Sequence, residues 1–152
     1  QLNELSLDKN IKIINTKSIQ QGIAAIFSFD SKKEFEENIN NMTESLNLVE
    51  EAYITVATRD VVIDNKSIIK NKFFTVLNDK VFDYYDKSDV ALKRIVDEMF
   101  KRKDLITIFV GHDSVLKNYQ DLEKELLDTQ EDKELIIVDG NQSYYNYLLL
   151  AE

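Results

Sequence analysis

The sequence predicts an α/β domain: a mixed sheet with helices packed on it, plus a small antiparallel β-meander. Three observations carry this. Apolar spacings of three and four alternate along the chain with period-two and continuous apolar runs, the marks of helix and strand in turn. Of the 152 residues, 43% are hydrophobic and 31% charged, a globular composition. At that length roughly 70% of the unfolded surface can be buried, so a core needs no disulfide or metal.

Residues 1–10 carry Leu2, Leu5 and Leu7 in polar surroundings and read as the tail of a helix. Asn10–Asn15 supplies Ile11, Ile13 and Ile14, a short buried strand. Ser18 can cap a helix with Ile19, Gly22, Ile23 and Ile26 inward, where Gly22 either permits a close backbone approach or marks loose packing. Ser31 and Glu34 have the spacing of a capping box, followed by Phe35, Ile39, Met42, Leu46 and Val49 at helical intervals.

From Glu51 the period changes to two, and Ala52–Ile63 is rich in β-branched residues. Asp64-Asn65 and Asn78-Asp79 are turn pairs, so Ile54–Ile63, Ser67–Ile69, Phe73–Leu77 and Val81–Tyr85 form the meander. Ser88 caps a helix with Leu92, Ile95, Val96 and Met99 inward. Leu105–Val110 is an apolar strand, Ser114–Leu127 a helix through Val115, Tyr119, Leu122 and Leu126, Leu135–Val138 a second apolar strand, and Tyr144–Ala151 the closing one.

Composition also limits function. There is no cysteine, so thiolate metal sites, disulfides and cysteine nucleophiles are excluded, in keeping with a cytoplasmic setting. The 19 basic and 28 acidic residues leave a net charge of −9, which disfavours nucleic acid and anionic lipid surfaces as partners. No apolar run approaches the roughly 18 residues of a membrane span, so no membrane insertion is expected. Proline is absent and glycine is down to three, against about 5% and 7% usually, which leaves few residues for phosphate-gripping loops.

The single histidine, His112, lies in Gly111-His112-Asp113-Ser114 between a strand and a helix, where free amides suit an anion. Adjacent Ser, His and Asp cannot hold catalytic-triad geometry, and the plainer expectation is that Asp113 or Ser114 caps the helix while His112 faces solvent. Arg59 at a strand end could grip a carboxylate or phosphate, although a local ion pair with Asp60 is the simpler fate. Thr16-Lys17-Ser18 is a similar strand-to-helix junction without the glycines of a P-loop. Tyr144, Tyr145 and Tyr147 cluster near the end, with Tyr119 on a nearby helix, and suit either a core edge or a partner surface. On alternation Tyr145 and Tyr147 share one strand face and Tyr144 the other. No catalytic constellation emerges, which favours a binding or regulatory lobe.

Three stretches together resemble the carboxy-terminal domain of the catalytic component of bacterial fatty acid kinases. This family also goes by the names dihydroxyacetone kinase-like and DAK2-domain proteins. The stretches are Ile14–Ala25 with Phe29-Asp30, then Thr55-Val56-Ala57-Thr58-Arg59-Asp60, then Gly140-Asn141-Gln142-Ser143-Tyr144-Tyr145-Asn146-Tyr147. Glu37-Asn38 to Met42, Ala91-Leu92-Lys93 and Asp97-Glu98-Met99 agree in position as well, so the resemblance spans the chain in order. The chain departs from the family where prolines are common, at Gln20, Ser143 and Asn146, and has Asn141 for a glycine.

The resemblance implies a DegV-like lobe that is the final part of a longer polypeptide, with residues 1–30 the remnant of a first subdomain and 31–152 the second. It implies ATP and magnesium bound by a separate kinase domain and no cofactor here. The expected role is docking of a DegV-type fatty-acid-binding protein, whose fatty acid the kinase domain phosphorylates. The alternative is a lobe that itself holds a fatty acid or another anion, which requires an apolar tunnel leading to Thr16, Lys17 and Arg59. Partner- or anion-binding candidates are therefore Thr16, Lys17, Arg59, His112, Gln142, Tyr144 and Tyr145. Homodimerisation stays open.

Overall fold

The structure is a computed structural model and describes residues 11–114, 118–128, 130 and 132–152. The helix expected over residues 1–10 lies outside the described residues, as does Val115. The chain divides into two compact units, Gln1–Val49 and Glu50–Glu152. Among the described residues, two helices of the first unit fall on one side of that division, and the subdomain boundary that the resemblance implies, after Asp30, lies between them.

The first unit holds α1 (Ile19–Phe27) and α2 (Phe35–Leu48), packed against one another. Ser18 caps α1 as expected, its hydroxyl accepting from the Gln21 amide at 3.0 Å. The buried face of α1 is the opposite of the expected one: Gln20, Ala24 and Ala25 are buried, while Ile19 and Ile26 are exposed. Small side chains let helices approach closely, and that outweighs the larger apolar stripe. A Cβ on Gly22 would meet nothing within 4 Å, so loose packing rather than close approach describes that position.

Two further expectations fail here. The Ile11–Ile14 segment is neither strand nor deeply buried, with Ile11 43% exposed. No capping box forms, since α2 begins at Phe35 behind Glu34 with no side-chain cap. Its entry is instead held by Asn38, which accepts from the Asp30 amide at 2.8 Å and donates to the Asp30 and Lys33 carbonyls at 2.8 and 3.1 Å. One buried amide closing a turn from both sides replaces two exposed caps.

The second unit is built on a six-stranded sheet in the order β5-β4-β1-β8-β6-β7. Its strands are β1 (Glu50–Val56), β4 (Phe73–Leu77), β5 (Lys80–Tyr85), β6 (Leu105–Val110), β7 (Glu134–Asp139) and β8 (Tyr147–Ala151). Only β6 and β7 run parallel; all other pairs are antiparallel. The meander is divided: β2 (Val61–Ile63) and β3 (Lys66–Ile68) make a separate two-stranded sheet, while β4 and β5 join the main one. The chain breaks at Ala57–Asp60, where Ala57 exchanges backbone hydrogen bonds with Lys72 and Asn71.

Both expected turn pairs close hairpins with positive φ at each central residue, 50° and 62° at Asp64 and Asn65, 47° and 64° at Asn78 and Asp79. These are the mirror-image turns that match strand twist, made from Asn and Asp in a chain short of glycine. Asp79→Gly is expected to raise stability by up to about 1 kcal/mol, measured by urea denaturation, because it removes the left-handed penalty.

Helices α3 (Ser88–Phe100) and α4 (Tyr119–Leu127) pack on the sheet. Leu92, Ile95, Val96 and Met99 are all 0% exposed, as their spacing predicts, against Ile54, Ile106, Ile108 and Leu149. Ser88 is the first residue of α3 rather than its cap, which is Lys87. The last helix starts at Tyr119 rather than Ser114, capped by the Asn118 side chain, which accepts from the Gln120 amide at 3.0 Å. Arg102 ties the end of α3 to the start of β1, meeting both Glu50 oxygens at 2.7 and 3.0 Å and Glu98 at 2.8 Å. The paired Lys101 and Arg102 hold the Glu98 carboxyl below its usual range.

Tyr147 is buried beneath this layer, and burial pushes its phenol up to about 12 from 10. The folded chain keeps that proton after the unfolded chain has lost it. Stability is therefore intact below about pH 10 and falls as pH rises toward 12. Tyr147→Phe should make that alkaline loss shallower in melting temperatures taken across the same interval.

Candidate functional site

One row crosses the sheet near its end: Ile54 pairs with Tyr147, Tyr147 with Val110, and Val110 with Asp139. The carboxyl ends of β1, β6 and β7 and the amino end of β8 therefore open on the same side. In α/β sheets this is where loops gather to bind. The segments that leave here are 57–60, 111–114 and 140–146.

The last two are locked together. The Gly111 amide donates to the Asn146 carbonyl at 2.8 Å, and the His112 amide to the Gln142 carbonyl at 3.0 Å. Ser114 donates its hydroxyl to the Asn146 carbonyl at 3.0 Å. The Gln142 side chain reaches back to the Phe109 carbonyl at 2.9 Å. A Cβ on Gly111 would lie 1.9 Å from the Tyr145 carbonyl oxygen, so only glycine fits. The 140–146 loop is joined to β1 as well, through Thr55, which donates to the Tyr144 carbonyl at 2.6 Å, and through the Asn146 amide, which donates to the Ile54 carbonyl at 2.8 Å.

This lattice presents Tyr144 outward. It is 85% exposed with φ of 71°, a left-handed conformation that a bulky residue adopts only when its surroundings impose it. Tyr145 packs edge-on against Tyr53, ring centroids 5.1 Å apart at 67°. Burial, with Tyr145 beside it, raises the Tyr53 phenol above its ordinary value. Tyr147 alone belongs to the strand and its core. The expected closing strand from Tyr144 thus begins three residues late, and the alternation read across 144–147 does not hold.

His112 points to solvent with Asp113, their side chains 71% and 72% exposed and 3.1 Å apart. Among the described residues, the helix that follows is capped by Asn118 and not by Asp113 or Ser114. Arg59 is exposed on the bend after β1, at the same end of the sheet. It does not pair with Asp60, which instead accepts from the Lys70 amide at 2.7 Å. Thr16 and Lys17 are exposed in the first unit, just before α1. The structure thus brings His112, Gln142, Tyr144 and Tyr145 together, with Arg59 nearby on a separate bend.

Sequence reasoning misses Thr55 and Asn146 as the residues that hold the surface. The available signal is that the second and third resembling stretches contain them. Those two stretches are hydrogen-bonded to each other.

The interior beneath this end is apolar and buried. Tyr147, Ile54, Ile106, Ile108 and Leu149 are at most 1% exposed and belong to one apolar cluster. A groove of about 370 Å³ lies elsewhere, lined by Asp89, Val90, Lys93, Arg94, Asp97 and Glu125, and is too charged for an acyl chain.

The fold is that of the DegV class. The chain superposes on the DegV family protein Cg2579 of Corynebacterium glutamicum with a TM-score of 0.63, at 10% identity, over 99% of this chain and 68% of that one. It superposes on the Fatty Acid Kinase (Fak) B3 protein of Streptococcus pneumoniae, solved loaded with linoleic acid, with a TM-score of 0.55 at 15% identity, over 86% and 53%. By sequence, residues 1–152 match the FakA-like carboxy-terminal domain family of fatty acid kinases, and the chain belongs to it. It is 36% identical over 141 residues to an uncharacterized protein of Staphylococcus saprophyticus, and 31% identical over 147 residues to protein YloV of Bacillus subtilis. Those matches cover 92% and 96% of this chain but 26% and 27% of the relatives, so the chain spans about a quarter of their length. Among the described residues, no helix is long and apolar enough to cross a membrane.

Proposed function

We propose that this chain is the non-catalytic carboxy-terminal domain of a fatty acid kinase and docks a DegV-type fatty-acid-binding protein. A kinase domain elsewhere in the polypeptide, using ATP and magnesium in the cytoplasm, then phosphorylates the acyl carboxylate that the partner presents. The observation that carries the docking role is Tyr144, held outward in a strained conformation by Thr55 and the 111–114 segment. An exposed aromatic fixed by rigid neighbours loses little entropy on binding, which suits an interface anchor. His112, Gln142, Tyr145 and Arg59 extend the same surface, and Thr16 and Lys17 are candidates for a second contact from the first unit. The net charge of −9 calls for a basic or neutral partner face.

The alternative is a lobe that holds the fatty acid itself. Calorimetry separates the two. Titrating the fatty-acid-loaded DegV-type protein of the same organism into the chain should give saturable heat, weaker at high salt. Titrating free fatty acid should give none, and saturable fatty acid binding with no response to the protein would reverse the order of the two readings.

A further inference from the structure

The two edges of the main sheet are finished differently. On β5 the Val81 amide donates to Asp64 at 2.8 Å and the Phe82 carbonyl accepts from the Lys66 ammonium, so the β2–β3 hairpin covers that edge. On β7, among the described residues, pairing is to β6 alone.

Which groups β7 leaves open follows from its register. The Glu134 amide donates to the Asp104 carbonyl at 2.8 Å and the Gly140 amide to the Val110 carbonyl at 3.0 Å, both toward β6. In a parallel ladder alternate residues face the neighbouring strand, so Ile136 and Val138 also bond inward. Leu135, Ile137 and Asp139 then turn their amides and carbonyls to the open side. The side chains of Ile136 and Val138 are 48% and 38% exposed. An edge with free backbone groups, exposed apolar side chains and neither proline nor an inward charge is a template for another strand.

Charge selects the occupant. Glu134 and Asp139 are exposed at the two ends of β7, and Lys133 just before it is engaged by Asp104 at 2.6 Å. A second copy brings its own net charge of −9 against the −9 of the first, whereas a segment carrying a lysine or arginine meets the exposed Glu134 and Asp139 with opposite charge.

We propose that β7 receives an extended segment of the docked DegV-type partner, with apolar residues over Ile136 and Val138 and a lysine or arginine facing Glu134 or Asp139. This rests on the docking role above and adds a second contact to it. Main-chain bonds supply affinity in such strand addition, and the alternate side chains supply selectivity.

Amide hydrogen exchange of the chain, alone and with the fatty-acid-loaded DegV-type protein, tests it. The outward amides of Leu135, Ile137 and Asp139 should slow by about tenfold or more on binding. Asp139→Pro removes an outward amide while leaving the β6 ladder intact, and should weaken calorimetric affinity by about tenfold, whereas Asp139→Ala, which keeps the amide, should weaken it less. Heat of binding without slowing at these amides overturns strand addition and leaves docking standing. No heat overturns both. Slowing that grows with the chain's own concentration, without partner, makes a second copy the occupant and also overturns it.

Discussion

Gly111→Ala is expected to destabilise the Glu50–Glu152 unit by about 3 kcal/mol and to abolish partner binding. The added methyl would sit 1.9 Å from the Tyr145 carbonyl oxygen, a backbone atom that cannot swing aside as a side chain would. Relief requires the 111–114 and 140–146 segments to part. That breaks the Gly111 to Asn146 and His112 to Gln142 hydrogen bonds and frees Tyr144 from its imposed conformation. The measurement is urea denaturation beside calorimetry. A variant as stable as the parent would mean that the two loops are not locked together.

Leu149→Ala should cost about 3 to 5 kcal/mol in the same denaturation experiment. Leu149 is 0% exposed and lies at the centre of β8, which has β1 on one side and β6 on the other. Its methyl groups pack among Ile54, Ile95 and Ile108 in a core with small scope to collapse. The last strand in sequence is thus an interior strand in space. Removing residues 147–152 takes away this strand altogether and should leave the unit unfolded, with its far-ultraviolet dichroism largely lost.

The parts of the fold legible in the sequence are those decided by neighbours along the chain. Strands β4 and β6 have the bounds their apolar runs predict, because β-branched and aromatic residues between turn signals leave little choice. The Asp64-Asn65 and Asn78-Asp79 turns are legible for the same reason. The inward face of α3 follows from spacing because one wide sheet covers it. The face of α1 does not, since Gln20, Ala24 and Ala25 are buried by how closely a neighbour approaches, which spacing does not encode. Nor does the division of the meander, or the place of β8 between β1 and β6, which rest on pairings far apart in sequence.

The candidate surface shows the same split. Composition and resemblance single out Gln142, Tyr144 and Tyr145, and they lie in the loop that leads into β8. The resembling stretches contain Thr55 and Asn146 without giving them a role, because a threonine in a strand and an asparagine before one are ordinary residues there. Their importance comes from hydrogen bonds between distant stretches: Thr55 to the Tyr144 carbonyl, and Asn146 to both Ile54 and Gly111. Local pairing is the expectation for Arg59 and the contrast with His112 is instructive. His112 has a contact with its neighbour Asp113, but Asp60 is taken by the Lys70 amide and Arg59 is left exposed.

The most direct test of the docking role is calorimetric titration of the fatty-acid-loaded DegV-type protein into the parent chain and into Tyr144→Ser. Tyr144 is 85% exposed, so the substitution should leave the melting temperature unchanged. The predicted result is saturable binding by the parent chain that weakens by about tenfold or more in the variant, as for an aromatic anchor. Equal affinity in the two proteins, or no heat from either, would contradict the account.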